Sequence, residues 1–192
     1  MLGDCLELLP TIEENSVDMV LCDLPYGTTA CKWDSIISLD KLWEQYNRIC
    51  KENAAMVFTA AQPFTTVLAS SNLANLKYEW IWEKNKATGH LNAKKMPMKA
   101  HENVLIFYRK LPTYNPQKTT GHKPFGAVKP RKNIPEPEKK RNYNHLPETF
   151  GNDGNTTDRY PRSVQKFPVI NNDCLLYTSD AADDMQCVDL GG

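Results

Sequence analysis

The 192-residue chain lacks any apolar run near the ~20 residues of a membrane-spanning helix, which argues against a membrane-embedded protein. Its first residues are acidic and lack the basic segment of a secretory signal peptide, so no export signal is expected. None of its six cysteines belongs to a Cys-x-x-Cys pair, which disfavours a zinc or dithiol redox site. We therefore predict reduced thiols, a cytoplasmic location and no bound metal.

Positive and negative charges balance over the whole chain but separate along it. Lys plus Arg is 23 and Asp plus Glu is 23, yet the net charge is −6 in residues 1–50, +11 in residues 77–145 and −5 in residues 146–192. A segment at +11 would suit the phosphates of a nucleic acid. A solvated basic loop explains the same composition, and charge alone leaves both interpretations open.

Four apolar segments predict strands, at residues 17–22, 54–60, 78–82 and 103–108. The first is nearly continuous and ends at Asp23, which indicates a strand buried on both faces, as in a parallel sheet.

Helical spacing separates the predicted strands. A short helical turn precedes the first strand, residues 39–50 form an amphipathic helix with Ser38 as N-cap, and a third helix spans residues 63–73. Strands alternating with helices predict an α/β sheet with crossover connections. Residues 111–160 are rich in Pro, Lys, Asn, Gly and Thr, which predicts a long basic loop or weakly structured insert.

A candidate site follows the first strand, where Asp23-Leu24-Pro25-Tyr26-Gly27 joins an acid, a stiffened turn and an aromatic ring. In an open α/β sheet, ligands bind outside the carboxyl ends of the strands, so chemistry is expected at this place. A strand-ending turn with a packed tyrosine is the alternative.

Longer segments carry a family resemblance. The stretch GDCLELLPTIEENSVDMVLCDLPYGTTACKWD resembles the start of the permuted, beta-class DNA amino-methyltransferases, whose signature is Asp-Pro-Pro-Tyr. WIWEKNKATGHLNAKKMPMKAHENVLIFYRK and RYPRS resemble later parts of the phage-like branch of that family, so the likeness covers most of residues 2–168. Leu24 departs from the commonest signature, but its backbone carbonyl is retained.

The resemblance implies a fold and an activity. The fold would be α/β, about half of a seven-stranded, doubly wound, Rossmann-like methyltransferase sheet with a basic irregular insert. The activity would be site-specific methylation of adenine N6 in double-stranded DNA by S-adenosylmethionine, as in restriction–modification systems. Aspartate at position 23 favours adenine, and cytosine N4 is the alternative. Methylation of protein glutamine is disfavoured by Asp23 and by the basic insert.

The resemblance also assigns roles to residues. The Asp23 carboxylate and the Leu24 carbonyl would accept the N–H groups of the target amine, on a base flipped out of the duplex. Tyr26 would stack on that base, worth ~1–3 kcal/mol, and Pro25 would hold both acceptors and the ring in register. Asp4, Cys5 and Asp23 would contact S-adenosylmethionine, although Asp4 is also a candidate helix N-cap.

A set of basic residues is expected to contact DNA phosphates without reading the sequence: Lys84, Lys86, Lys94, Lys95, Lys99, Arg159 and Arg162. His101-Glu102 is more simply explained as structural than as catalytic. The complete protein could be a homodimer.

The cofactor half of such an enzyme is missing from the sequence. No His-Pro-x-x-Lys-Pro segment and no Gly-x-Gly pair occurs, which leaves a non-catalytic DNA-binding module as an alternative. We assign residues 1–110 to a partial catalytic domain, 111–168 to a target-recognition-like insert and linker, and 169–192 to a tail outside the family pattern. The chain alone is expected to be inactive.

The end of the tail has an unusual sequence. Residues 174–183 back-translate to what looks like the read-through of a transposase-based sequencing-library adapter, and residues 187–192 resemble the outer end of that adapter. The few residues between would encode a sample index, so we interpret residues 174–192 as an assembly artefact. A genuine acidic tail is the alternative. Without these residues the net charge is +4, which agrees better with a DNA partner.

Overall fold

The computed structural model describes residues 3–29, 31, 34–124 and 156–167. Two short 3-10 helices span Leu9–Thr11 and His90–Asn92. The remaining elements, in chain order, are α1 (Cys5–Leu8), β1 (Val17–Asp23), α2 (Leu39–Ile49), β2 (Cys50–Ala60), α3 (Phe64–Ser71), β3 (Leu76–Thr88), β4 (Lys99–Phe107) and β5 (Val164–Phe167).

The five strands form one mixed sheet in the order β1-β2-β4-β3-β5. The β1–β2 pair is parallel and is connected through α2, as the crossover prediction requires. Strand β4 is antiparallel to both β2 and β3, and β5 is parallel to β3. The predicted α/β class is therefore confirmed, with an antiparallel β3–β4 pair that the alternating pattern did not reveal. In the described sheet β1 is an end strand.

Helix α2 forms because its apolar side chains recur at helical spacing. Leu42, Trp43, Tyr46 and Ile49 are all buried. Ser38 occupies the predicted N-cap position, where its carbonyl accepts the Leu42 N–H at 3.0 Å. Its side chain makes no capping hydrogen bond.

The core lies on one face of the sheet. It joins α2 and α3 to the inward side chains of β2 and β4, with Trp43, Phe58 and Phe107 in mutual aromatic contact. Trp43 also donates its indole N–H to Ser71 Oγ at 2.8 Å, which ties α2 to the end of α3.

The prediction that the first strand is buried on both sides is wrong for the opposite face of the sheet. Met19 and Leu21 of β1 are 45% and 53% exposed. Val20 and Cys22, which point the other way, pack against the core. The continuous apolar run predicted cover on both faces, but the described helices cover only one.

The described residues divide into two compact units. The first ends at Tyr114 and resumes at Ser163, so that β5, which lies within the segment predicted as insert and linker, belongs to the sheet. The second unit is Asn115–Arg162, where Thr119 and Arg159 form an antiparallel bridge. The whole tail from residue 169, including the adapter-like residues, and part of the basic insert lie outside the described residues. No described helix is both long enough and apolar enough to cross a membrane.

Candidate active site

The β1–β2 pairing brings a carboxylate and two hydroxyls together. Asp23, the last residue of β1, lies directly across from Thr59 of β2. The Thr59 hydroxyl donates a hydrogen bond to Asp23 Oδ1. The Tyr26 hydroxyl donates to the same oxygen at 2.7 Å and lies 3.2 Å from Thr59 Oγ1. One carboxylate oxygen is thus fixed by two hydroxyls, on a side chain that is itself exposed.

Two acceptors remain available beside this triangle. Among the described residues, every hydrogen bond to the Asp23 carboxylate goes to Oδ1, which leaves Oδ2 as an acceptor. The Leu24 carbonyl likewise accepts no hydrogen bond from a described residue, and Leu24 as a whole is only 4% exposed. Burial of Leu24 anchors the backbone of this turn.

Tyr26 is held by its ring as well as by its hydroxyl. The ring stacks on Phe64, the first residue of α3, with centroids 5.2 Å apart and planes inclined by 17°. Burial raises the pKa of Tyr26 above its ordinary value, and the Asp23 carboxylate raises it further because a phenolate would face a negative charge. Tyr26 therefore stays a neutral hydrogen-bond donor. The alternative interpretation, a strand-ending turn with a packed tyrosine, describes the Tyr26 ring correctly. The same residue also contacts the Asp23 carboxylate, so packing and a place in the site do not exclude each other.

The turn after Tyr26 is closed by Asp34. Its Oδ1 accepts the Gly27 N–H at 2.7 Å, and its Oδ2 accepts the Thr28 and Thr29 N–H groups at 2.8 and 2.6 Å. The side chain is buried, with Asp34 8% exposed. Hydrogen bonds from the Thr29 side chain and from the three amides lower the pKa of Asp34 to about 2, against the opposing effect of burial.

Asp4 and Cys5 lie at the start of α1, away from this turn in sequence. Asp4 is the N-cap of that helix, because its Oδ1 accepts the Leu6 N–H at 2.7 Å. The capping prediction is confirmed. The Asp4 side chain is exposed and Cys5 is half-buried.

The predicted phosphate contacts fall into different environments. Lys84 is mostly buried and forms an ion pair with Glu102, and its ammonium lies 4.8 Å from the centre of the Trp82 ring. Lys86, Lys94, Lys95 and Lys99 are exposed between the middle of β3 and the start of β4. Arg159 and Arg162 belong to the second compact unit, where Arg159 donates to nearby backbone carbonyls. Within the described residues no group of three or more His, Cys, Asp or Glu side chains could hold a metal ion.

The sequence pattern predicts Asp23, Leu24, Pro25 and Tyr26 as site residues, but not three side chains that support them: Thr59, Phe64 and Asp34. Thr59 had a signal, since it is a hydroxyl near the end of an apolar strand that neighbours the first one. Asp34 had a weaker signal as an acid a few residues beyond a glycine turn. Nothing in the pattern pointed to Phe64.

No protein-family model and no curated protein sequence matches the chain. Solved structures with a similar fold include the M1.HpyAVI complex with SAM (18% identity, TM-score 0.43, 57% of this chain and 54% of that one). They also include the cytosine-N4-specific PvuII DNA methyltransferase (14% identity, TM-score 0.48, 59% of this chain and 50% of that one). A third is TTHA0409 from Thermus thermophilus with S-adenosyl-L-methionine (19% identity, TM-score 0.42, 59% and 56%). The chain spans about half the length of these proteins.

Proposed function

We propose that this chain is part of a DNA methyltransferase that transfers a methyl group from S-adenosylmethionine to adenine N6. The observation that carries the proposal is the arrangement around Asp23. Its Oδ1 is fixed by Tyr26 and Thr59, while Oδ2 and the Leu24 carbonyl, at the carboxyl end of β1, accept no hydrogen bond from a described residue. That edge of an open α/β sheet is where ligands bind.

Two adjacent acceptors suit an exocyclic amine that carries two N–H groups. Such an amine is a poor nucleophile because its lone pair is delocalised into the ring. Hydrogen bonds from its N–H groups to Asp23 Oδ2 and to the Leu24 carbonyl favour the tetrahedral geometry in which that lone pair is available. Oriented acceptors of this kind stabilise charge that develops during reaction without having to reorganise.

The target base must leave the duplex to reach these acceptors. Phe64 already covers one face of the Tyr26 ring, so a flipped base would stack on the opposite face. Base–aromatic stacking contributes ~1–3 kcal/mol and favours no particular base. Discrimination between adenine N6 and cytosine N4 therefore has to come from other contacts.

S-Adenosylmethionine, when bound, supplies an electrophilic methyl group. Asp4 fits a contact with its adenine amine, because the exposed Asp4 side chain uses Oδ1 for the helix cap and retains Oδ2. Cys5 and Asp23 complete the proposed contacts. The sequence has no Gly-x-Gly loop to hold the rest of the cofactor, so these residues alone make an incomplete site.

The exposed lysines fit the phosphates of double-stranded DNA. Lys86, Lys94, Lys95 and Lys99, with Arg159 and Arg162, are the proposed contacts. Lys84 is the weakest member of this set, because its charge is already compensated by Glu102.

The test begins with the source DNA, amplified across codon 168 and read onward. A His-Pro-x-x-Lys-Pro segment followed by a Gly-x-Gly loop supports the methyltransferase. Codons that run unbroken into Cys174 favour the second candidate, a DNA-binding module without catalysis, because the tail would then be genuine and would stand in place of the glycine loop.

The recovered reading frame is then incubated with unmethylated DNA and radiolabelled S-adenosylmethionine. We expect incorporation by the wild type, none by Asp23→Ala, and unchanged incorporation by the control Asp40→Ala at an exposed position of α2. The 192-residue chain alone should give neither turnover nor micromolar cofactor affinity in calorimetry. Equal incorporation by wild type and Asp23→Ala would refute the assignment of Asp23.

A further inference from the structure

Asp34 makes the densest set of hydrogen bonds next to the candidate active site. One carboxylate gathers three consecutive backbone N–H groups, from Gly27, Thr28 and Thr29, at 2.6–2.8 Å. Its own N–H bonds the Cys31 carbonyl at 3.1 Å, so the acid is fixed at its backbone as well. These bonds close the chain between Tyr26 and the approach to α2.

The three amides can converge on one side chain only because position 34 carries a carboxylate and position 27 is a glycine. Only an ionised carboxylate offers enough acceptor sites for three N–H groups, because an amide side chain replaces one oxygen by a donor. Gly27 adopts φ +66°, and a Cβ there would come within 3.0 Å of the Ile36 side chain. A left-handed conformation with so little room favours glycine.

The position of this loop connects it to the two amine acceptors. The Gly27 amide belongs to the peptide bond that follows Tyr26, so its bond to Asp34 Oδ1 fixes the carboxyl-terminal end of the Leu24–Tyr26 turn. The other end is fixed where Asp23 closes β1 against Thr59. Between these anchors lie the Leu24 carbonyl and the stacked Tyr26 ring.

We propose that Asp34 is a positioning residue: by holding the amides of residues 27–29 it keeps the Leu24 carbonyl and the Tyr26 ring in register with Asp23. In this role Asp34 acts through the turn and needs no contact with base or cofactor. This inference rests on the proposed methyl transfer, and it adds that the geometry of the amine acceptors is set from outside the Asp23–Tyr26 signature. Misplacing a reacting geometry by about 1 Å can cost ~10²-fold in rate.

The test compares Asp34→Asn with Asp40→Asn, which makes the same charge change at an exposed position of α2. Asparagine has the shape of aspartate but cannot accept all three amides. In the 192-residue chain, we expect hydrogen exchange at Gly27, Thr28 and Thr29 to accelerate at least about tenfold in Asp34→Asn and to stay unchanged in the control.

In the recovered reading frame, kcat for methyl transfer should fall ~10- to 10²-fold in Asp34→Asn, with KM for DNA and for S-adenosylmethionine within about threefold of wild type. A residue with a merely structural role would lower the melting temperature and the active fraction, without this split between kcat and KM. Asp34→Glu, which retains the charge but displaces it by one methylene, should recover part of kcat. If Asp34→Asn does not fold, Asp34→Glu is used in its place for the same measurements.

The possible failures are distinguishable. Unchanged exchange at residues 27–29 overturns the hydrogen-bond account, whatever the activity. Faster exchange with unchanged kcat overturns the positioning role. A wild-type frame that transfers no methyl group overturns the proposed function and the positioning role together, while the exchange data still decide whether Asp34 orders the turn.

Discussion

The Thr59 hydroxyl donates to Asp23 Oδ1 across the parallel β1–β2 pair, and it fixes the orientation of a carboxylate that is otherwise exposed. The bond follows directly from register, because Asp23 and Thr59 are partners in the ladder. With Oδ1 held in this way, the second carboxylate oxygen, Oδ2, accepts no hydrogen bond from a described residue. Methyl transfer as proposed requires both oxygens, with Oδ1 held by the two hydroxyls and Oδ2 accepting the target amine.

Removing the Thr59 hydroxyl should therefore slow methyl transfer. Thr59→Val preserves side-chain shape but deletes a hydrogen bond to a charged group, worth about 1.5–3 kcal/mol. If that bond stabilises the reacting arrangement, kcat should fall ~10- to 10²-fold, measured by methyl incorporation in the recovered reading frame. The matched control is Thr66→Val, at an exposed position of α3, which should be neutral. Equal rates for wild type and Thr59→Val would contradict the role of the bond.

Tyr26 should remain un-ionised while ordinary tyrosines titrate. Burial and the facing Asp23 carboxylate both disfavour the phenolate, so the pKa is raised. The measurement is absorbance of phenolate during alkaline titration of wild type and Tyr26→Phe, within the pH range where circular dichroism shows both folded. We expect equal amplitudes near pH ~10, where a free tyrosine ionises. A wild-type amplitude larger by one tyrosine in that range would show that Tyr26 is not held as described.

The exposed lysines before and at the start of β4 should govern the salt dependence of DNA binding. Each phosphate contact contributes about −0.9 to the slope of log affinity against log salt. Replacing Lys94, Lys95 and Lys99 together by Gln should therefore reduce the magnitude of the slope by about 2–3. Affinity for an unmethylated duplex is measured by fluorescence anisotropy at several salt concentrations.

Lys41→Gln on α2 serves as the control for this triple variant, because it removes a positive charge from a different exposed surface. Its slope should match that of the wild type. An unchanged slope in the triple variant would assign the phosphate contacts to other residues.

Arg48, a half-buried cation near the end of α2, should contribute to stability through its hydrogen bonds. Its guanidinium donates to the carbonyls of Leu9 and Ile12 at 2.7 and 2.8 Å, which attaches the segment before β1 to the end of α2. Arg48→Ala removes both hydrogen bonds and leaves the Ile12 carbonyl without this donor, while the Leu9 carbonyl still accepts the Ile12 N–H at 3.1 Å. The free energy of unfolding should therefore fall by about 1–3 kcal/mol. Urea denaturation of the 192-residue chain measures it. Lys41→Ala, at an exposed position of the same helix, serves as the control and should change the free energy of unfolding by no more than ~0.5 kcal/mol. A change as small as this for Arg48→Ala would contradict the prediction.

The parts of the fold that depend on local pattern were predictable. The helical spacing before Ile49 and the apolar runs of β1 and β2 identified those elements. The exposure of Met19 and Leu21 was not predictable, because an apolar run indicates affinity for a core but not which elements supply it. β5 was missed because a four-residue strand, Val164–Phe167, carries too little pattern to stand out from the surrounding loop.

The candidate site was predictable where it follows from a strand end, and not where it follows from pairing. Asp23 and Tyr26 were located because the first strand stops there. Thr59 contacts Asp23 because of the register between β1 and β2. Phe64 contacts Tyr26 because α3 begins next to the turn. Asp34 belongs to the site because the chain folds back and brings its carboxylate to the amides of residues 27–29. Distances of this kind are set by tertiary structure and leave little trace in spacing along the chain.

The most direct test of the central claim is to identify the methylated nucleoside. The recovered reading frame is incubated with unmethylated DNA and isotopically labelled S-adenosylmethionine, and the DNA is digested and analysed by mass spectrometry. The account predicts labelled N6-methyldeoxyadenosine with the wild type and none with Asp23→Ala. Labelled N4-methyldeoxycytidine would retain methyl transfer but contradict the adenine assignment. No labelled nucleoside, from a folded protein that binds the same DNA, would contradict the account and favour a binding module.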